Sequence, residues 1–124
     1  NRTNSIDLVG KSGVIDFDFG GTWAGYLIRL RFNQELSPYY LRYLFAKAKY
    51  KKYFSIIAKP AGGQANINAE ELAQTVIDYY PLETQRQIVE KLDRQMQALE
   101  GVRLLKSEAE KRIEEILEQV WGKE

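Results

Sequence analysis

The chain has 124 residues, 44% hydrophobic and 28% charged, with a formal net charge of +1 and neither His nor Cys. This length suits one small domain, or part of one with an appendage, and the composition is too apolar for intrinsic disorder. The missing residue types exclude a thiolate nucleophile, an imidazole base, a disulfide framework and the usual zinc sites.

No apolar run approaches the ~20 residues of a membrane-spanning helix, and the N-terminus does not read as a signal peptide. We therefore expect a cytoplasmic protein with no membrane contact. The chain opens Asn1-Arg2-Thr3 without an initiator Met, and its one methionine is Met96. This leads us to expect a fragment, with part of its domain upstream. Residues 1–60 hold ten Lys/Arg against four Asp/Glu, a net +6, and residues 61–124 hold eight against thirteen, a net −5. A basic front half suits a polyanion, and an acidic back half suits a different partner.

In chain order, Ile6–Val9 and Val14–Phe19 read as short strands punctuated by Gly10 and Gly13. Gly20-Gly21 marks a turn before a longer strand, Trp23–Phe32, with Tyr26, Ile28, Leu30 and Phe32 on one face and Arg29 and Arg31 on the other. Ser37-Pro38 starts a helix, with Ser as N-cap and Pro at the first helical position. Leu41, Leu44, Phe45 and Ala48 keep helical spacing, but Lys52 falls on the same stripe. The helix must end near Lys51 or let that lysine snorkel. Ile56-Ile57-Ala58 reads as a short strand or as the tail of this helix.

Lys59–Gln64, with Gly62-Gly63, reads as a loop. Asn68-Ala69-Glu70-Glu71 predicts a capping box and a helical turn to about Ala73, and Thr75–Tyr79 has strand character. From Glu83 to Val120 a seven-residue repeat places Ile88, Leu92, Gln95, Leu99, Val102, Lys106, Ala109, Ile113, Ile116 and Val120 on one seam. A helix of that length spans ~57 Å at 1.5 Å per residue, so it should project and pack on another helix. Gly101 weakens it by roughly 1 kcal/mol. Lys106 on the seam invites a carboxylate opposite.

No Asp/Glu-x-Lys triplet, phosphate loop or dinucleotide fingerprint occurs. Asp16 and Asp18 would share a strand face, an arrangement more often solvated than catalytic, and we expect no active site, metal or cofactor. Leu36–Ala69 contains no acidic residue but carries Arg42, Lys47, Lys49, Lys51, Lys52 and Lys59, interleaved with tyrosines and phenylalanines. Clustered cations free of carboxylates suit phosphate neutralisation, though an anionic membrane or an acidic protein would satisfy them too. In the Lys59–Asn66 loop, Gln64 and Asn66 carry the paired donors and acceptors that read adenine edges. Arg2, Asn4, Ser5 and Lys11 form a third polar group around the first strand.

Several blocks resemble a known family. They are Arg2-Thr3-Asn4-Ser5, Leu8-Val9-Gly10-Lys11, Leu27-Ile28-Arg29-Leu30-Arg31, and Asn66-Ile67-Asn68 followed by Leu72. With Tyr80-Pro81-Leu82-Glu83-Thr84-Gln85-Arg86-Gln87-Ile88-Val89 they look like the second half of a target-recognition domain of type I restriction-modification specificity subunits. The last block is similar to the family's Pro-Pro-Leu-Glu-Glu-Gln-x-x-Ile-Val entrance to its long helix, with Tyr80 in place of the first proline and Thr84 in place of the second glutamate.

The resemblance implies a non-catalytic DNA-recognition component that reads half of a bipartite duplex target. Its helix would pair with a second one, or with a second copy of itself, and would dock methyltransferase subunits and through them restriction subunits. Within that reading we expect phosphate contacts by Lys47, Lys49, Lys51, Lys52 and Lys59, Gln64 or Asn66 near base edges, and Arg2, Asn4, Ser5, Lys11 and Arg42 as further DNA-binding residues. Helix pairing would fall to Ile88, Leu92, Leu99, Val102, Ala109, Ile113, Ile116 and Val120. The expected fold is α+β: a small mixed-sheet domain with short helices over 1–82, then a coiled-coil helix over 83–124. The alternative is a non-enzymatic interaction module that dimerises through its helix while its basic patch meets an acidic partner.

Overall fold

The computed structural model describes residues 1–18 and 20–122. The fold is α+β, as expected. Element order is β1 (Thr3–Asn4), α1 (Pro38–Ala46), α2 (Ala48–Ile57), β2 (Lys59–Ala61), β3 (Gln64–Asn66), α3 (Ala69–Ala73) and α4 (Leu82–Trp121). The three strands form one antiparallel sheet in the order β1-β3-β2. The chain divides into a first unit, Asn1–Val89, and a second beginning at Glu90.

The single helix expected after Ser37 is two helices. Ser37 caps α1 by accepting from the Tyr40 N–H, and Pro38 takes the first turn. At Lys47 the backbone turns extended, with φ −65° and ψ 144°, and α2 begins at Ala48. The apolar stripe explains the break. An unbroken helix would carry Lys52 inward along the line of Leu41, Leu44, Phe45 and Ala48. The break instead turns Tyr50 and Phe54 into the core, each about 1% exposed, and leaves Lys52 in solvent. Phe45 and Phe54 then meet edge-to-face with centroids 4.9 Å apart. Val9, Tyr40, Leu41, Leu44, Ala65 and Ile67 complete this core. Ile56-Ile57-Ala58 is resolved as the tail of α2 and its C-cap.

The expected loop at Lys59–Gln64 is a β-hairpin. Lys59 pairs with Asn66, Pro60 with Ala65 and Ala61 with Gln64, leaving Gly62-Gly63 as a two-residue turn. Both glycines have positive φ, +57° and +81°, as a primed turn requires. Pro60 is tolerated because β2 is an edge strand. The capping box is present: Asn68 accepts from the Glu71 N–H at 2.8 Å, and Glu71 accepts from the Asn68 N–H at 3.0 Å.

Four expected strands are absent among the described residues. Ile6–Val9 is a turn in which the Leu8 and Val9 N–H groups both donate to the Ser5 carbonyl. It brings Val9 into the core and sets Gly10, at φ +81°, against the Phe54 ring, where a Cβ would lie 2.4 Å from Cδ2. The segments 14–18 and 23–32 form no ladder; the Phe19 end of the second expected strand lies outside the described residues. Their composition favours strands, but a strand needs a neighbour for its N–H and C=O groups. The contact offered from β1's side is a single bond from the Arg2 N–H to the Tyr26 carbonyl. At Thr75–Tyr79, tyrosine hydroxyls replace a strand partner: Tyr50 Oη accepts from the Asp78 N–H at 2.8 Å, and Tyr40 Oη donates to the Asp78 carbonyl at 2.7 Å.

Gln85, in the first turns of α4, is fully buried. Its Oε1 accepts from the Ser37 N–H at 2.8 Å, and its Nε2 donates to the carbonyls of Glu35 and Tyr80 at 2.9 and 2.7 Å. All of its hydrogen-bonding partners are backbone groups that a helix start and a loop would otherwise bury unpaired. Ile88 and Val89 pack on the core of the first unit.

The second unit consists of the remainder of α4, a 40-residue helix in all. Leu92, Leu99, Val102, Ile113, Ile116 and Val120 are all exposed along it. Lys106 pairs with Glu110 one turn on, at 3.6 Å. No described helix is long and apolar enough to cross a membrane.

Candidate nucleic-acid interface

The structure sorts the expected contact residues into two groups within the first unit. The first surrounds an open cleft of about 940 Å³. Arg2, Lys11 and Arg42 line it, joined by Arg29 and Arg31 from the unpaired 23–32 segment. Among the described lining residues, Asp18 alone is acidic. Arg2 is held by Asn66, its Nε donating to Oδ1 at 3.3 Å, while Thr3 Oγ1 donates to the same oxygen at 3.1 Å. Residues more than 60 positions apart are thus joined by the β1–β3 pairing. This also commits the Asn66 carbonyl oxygen to the protein. The Arg29 guanidinium lies 5.0 Å from the centre of the Trp23 ring, and that of Arg42 lies 4.5 Å from the centre of Tyr43.

The second group follows the start of α2 and the hairpin. Here the basic stretch is not free of carboxylates once folded. Lys49 Nζ donates to Asp78 Oδ1 at 2.8 Å, and Lys47 lies 3.5 Å from Oδ2. Lys59 lies 2.6 Å from Glu71 Oε1. The Lys49 hydrogen bond holds the Asp78 carboxyl below its usual range and raises the Lys49 ammonium. The Lys59 hydrogen bond, with the Asn68 N–H, lowers Glu71 in the same way. Both acids lie outside the acid-free window and arrive by chain reversal. Lys51 and Lys52 stay exposed, as does Gln64 at the start of β3. Asn4 caps its own turn, its Oδ1 accepting from the Ser5 N–H.

Arg29 and Arg31 are cleft residues that were not among the expected contacts. Their Arg-x-Arg spacing is visible in the sequence, but only the fold sets them beside Arg2 and Lys11. Asp16 accepts from the Tyr39 hydroxyl at 2.9 Å, and no cluster of three metal-ligating side chains occurs among the described residues.

Residues 4–120 match the model of the family described as the type I restriction modification DNA specificity domain. The chain belongs to that family. The match runs through both units of this specificity domain and includes the Tyr80–Val89 block, whose Gln85 ties the start of α4 to the residues before α1. A Methanocaldococcus jannaschii protein provisionally named the type I restriction enzyme MjaX specificity subunit is 44% identical over 63 residues. The aligned stretch covers 50% of this chain and 15% of that protein. No solved structure gives a significant match.

Proposed function

We propose that the chain is a DNA-reading portion of a type I specificity subunit, using its first unit on one half of a bipartite duplex target. The supporting observation is a family match that spans a cation-lined first unit and a helix whose apolar seam is exposed. In this reading the exposed seam of α4 pairs with a second helix, from another recognition module or another copy, and the paired helices dock methyltransferase subunits. Methyl transfer and cleavage belong to other subunits, in the cytoplasm.

The test is co-purification of the full-length protein with the neighbouring methyltransferase, followed by mapping of methylated DNA. The expected result is a stable complex and one split methylated motif. No association and no motif would overturn the reading. Self-association without either would leave a dimerising interaction module, the interpretation that the exposed seam supports by itself.

A further inference from the structure

Folding leaves the cations of the first unit in unequal electrostatic states. Lys47 and Lys49 share Asp78, and Lys59 is held by Glu71. A phosphate arriving there replaces one anion with another, and less is gained than from neutralising an uncompensated cation. Among the lysines of α2, Lys51 and Lys52 remain outside these pairs. In the cleft the situation is reversed. Arg2 is anchored by an amide oxygen and Arg29 by an indole ring, both neutral partners. Each partner orients the guanidinium without cancelling its charge, and Arg2 keeps its terminal N–H donors for a ligand. Arg31 and Lys11 are exposed along the same lining.

We infer that the cleft bordered by Arg2, Lys11, Arg29 and Arg31 seats the phosphodiester backbone of duplex DNA, with the half-exposed Trp23 ring packing on a sugar. This deepens the DNA-recognition reading and rests on it. Three of the four cations are arginines, whose planar forks take a phosphate bidentately. Lys11 follows the Gly10 turn, which is packed on Phe54, so its backbone is fixed by the core. The remaining lining is largely apolar, including Val14, Leu30 and Phe32, and lowers the local dielectric around these charges. The cleft therefore positions backbone; base reading falls to other groups.

The experiment is fluorescence anisotropy of the full chain with labelled duplex DNA, titrated across a salt series. Arg29→Ala/Arg31→Ala is compared with Lys51→Ala/Lys52→Ala. Each lost phosphate contact lowers the log–log salt slope by about 1, so the cleft double variant should lose about 2 and bind about tenfold or more weakly at low salt. The Lys51/Lys52 variant removes two exposed cations as well, and should lose less of the slope than the cleft variant. Arg31→Lys should keep the slope, which separates lost charge from lost folding, and thermal melts should coincide because both arginines are exposed.

A second readout uses Trp23. The chain has two tryptophans, so Trp121→Phe leaves Trp23 as its reporter, and its emission should change with the DNA-binding midpoint. If wild type binds DNA but the cleft variant matches it while Lys51/Lys52→Ala loses the slope, the cleft assignment falls and the DNA reading stands. Unchanged Trp23 emission at saturating DNA also overturns the assignment. If wild type shows no salt-dependent binding, both fall together.

Discussion

In the first unit Tyr40, Phe45, Tyr50 and Phe54 are buried against one another, and even an uncharged amide, Gln85, is enclosed with every polar group satisfied. In the second unit, leucines, isoleucines and valines recur at heptad spacing and face solvent. Apolar patterning alone does not distinguish these cases; what differs is where the partner surface comes from. In the first unit α1, α2, the sheet and the first turns of α4 supply it. The second is one helix, and its own apolar stripe gives it nothing to bury against. Within the helix itself stability therefore rests on local helix terms, whereas that of the first unit rests on packing.

The largest test of this contrast is Phe54→Ala. The ring is 1% exposed, meets Phe45 edge-to-face and covers Gly10. Its loss should destabilise the first unit by about 3–5 kcal/mol in urea unfolding. Leu99→Ala, on the exposed seam, should shift the same transition by under about 0.5 kcal/mol. Equal shifts for the two variants would dissolve the contrast.

Gln85→Leu comes next. Leucine fits the volume but strands the Ser37 N–H and the Glu35 and Tyr80 carbonyls, and the expected cost is about 2–3 kcal/mol. Hydrogen exchange at Ser37 should accelerate in the variant. Wild-type protection there would show that the amide is not what closes this junction.

Gly101→Ala probes the second unit. A Cβ at Gly101 meets nothing within 4 Å among the described residues, so the helix should gain about 1 kcal/mol, seen as higher helicity at dilute concentration. The first unit's unfolding should not move. If helicity rises but self-association weakens, the bare backbone at Gly101 is a point of close approach by a partner helix.

The same contrast explains what was legible in the sequence. Features set by residues close in the chain are readable: the Ser37-Pro38 start, the Asn68–Glu71 capping box and the run of α4. Where the sequence misled, a distant partner decides. The β-rich 23–32 segment, interrupted by a turn in which the Leu27 N–H donates to the Ala24 carbonyl, has no ladder partner among the described residues, and Thr75–Tyr79 is held by hydroxyls from α1 and α2. The break at Lys47 follows from the conflict between Lys52 and the apolar stripe, and that conflict is written in the sequence; its resolution depends on how Tyr50 and Phe54 meet Phe45. The Gly-Gly hairpin was recognisable from its turn residues, though the flanking Pro60 disguised an edge strand. For the candidate interface, residue types were legible and pairings were not. Asp78 and Glu71 lie outside the acid-free stretch, yet they neutralise half of the six cations that made it conspicuous.

That neutralisation predicts the smallest effect. The Asp78 carboxyl is lowered chiefly by its hydrogen bond from Lys49, so its contribution to stability is present above the unfolded-state carboxylate pKa and is lost as pH falls through the lower folded value. Lys49 is raised by the same bond, so its contribution is present below the unfolded ammonium pKa and is lost as pH rises through the raised value. The pair thus stabilises the first unit across the neutral range and fades on both flanks. Its members are 62% and 36% exposed in their side chains, so solvent and salt screen it heavily. Thermal melts of wild type and Asp78→Asn should converge at acid pH and separate slightly at neutral pH, and added salt should shrink the separation. A gap that persists below the carboxylate range would mean that the substitution acts through something other than the charge of Asp78, since the backbone links to Tyr40 and Tyr50 are left in place. The ion pairs of the second unit, such as Arg94–Glu90 and Lys106–Glu110, join residues one helical turn apart. Breaking one should alter helicity locally and leave the first unit's pH profile unchanged, because the Lys49–Asp78 and Lys59–Glu71 pairs of the first unit tie together segments distant in the chain.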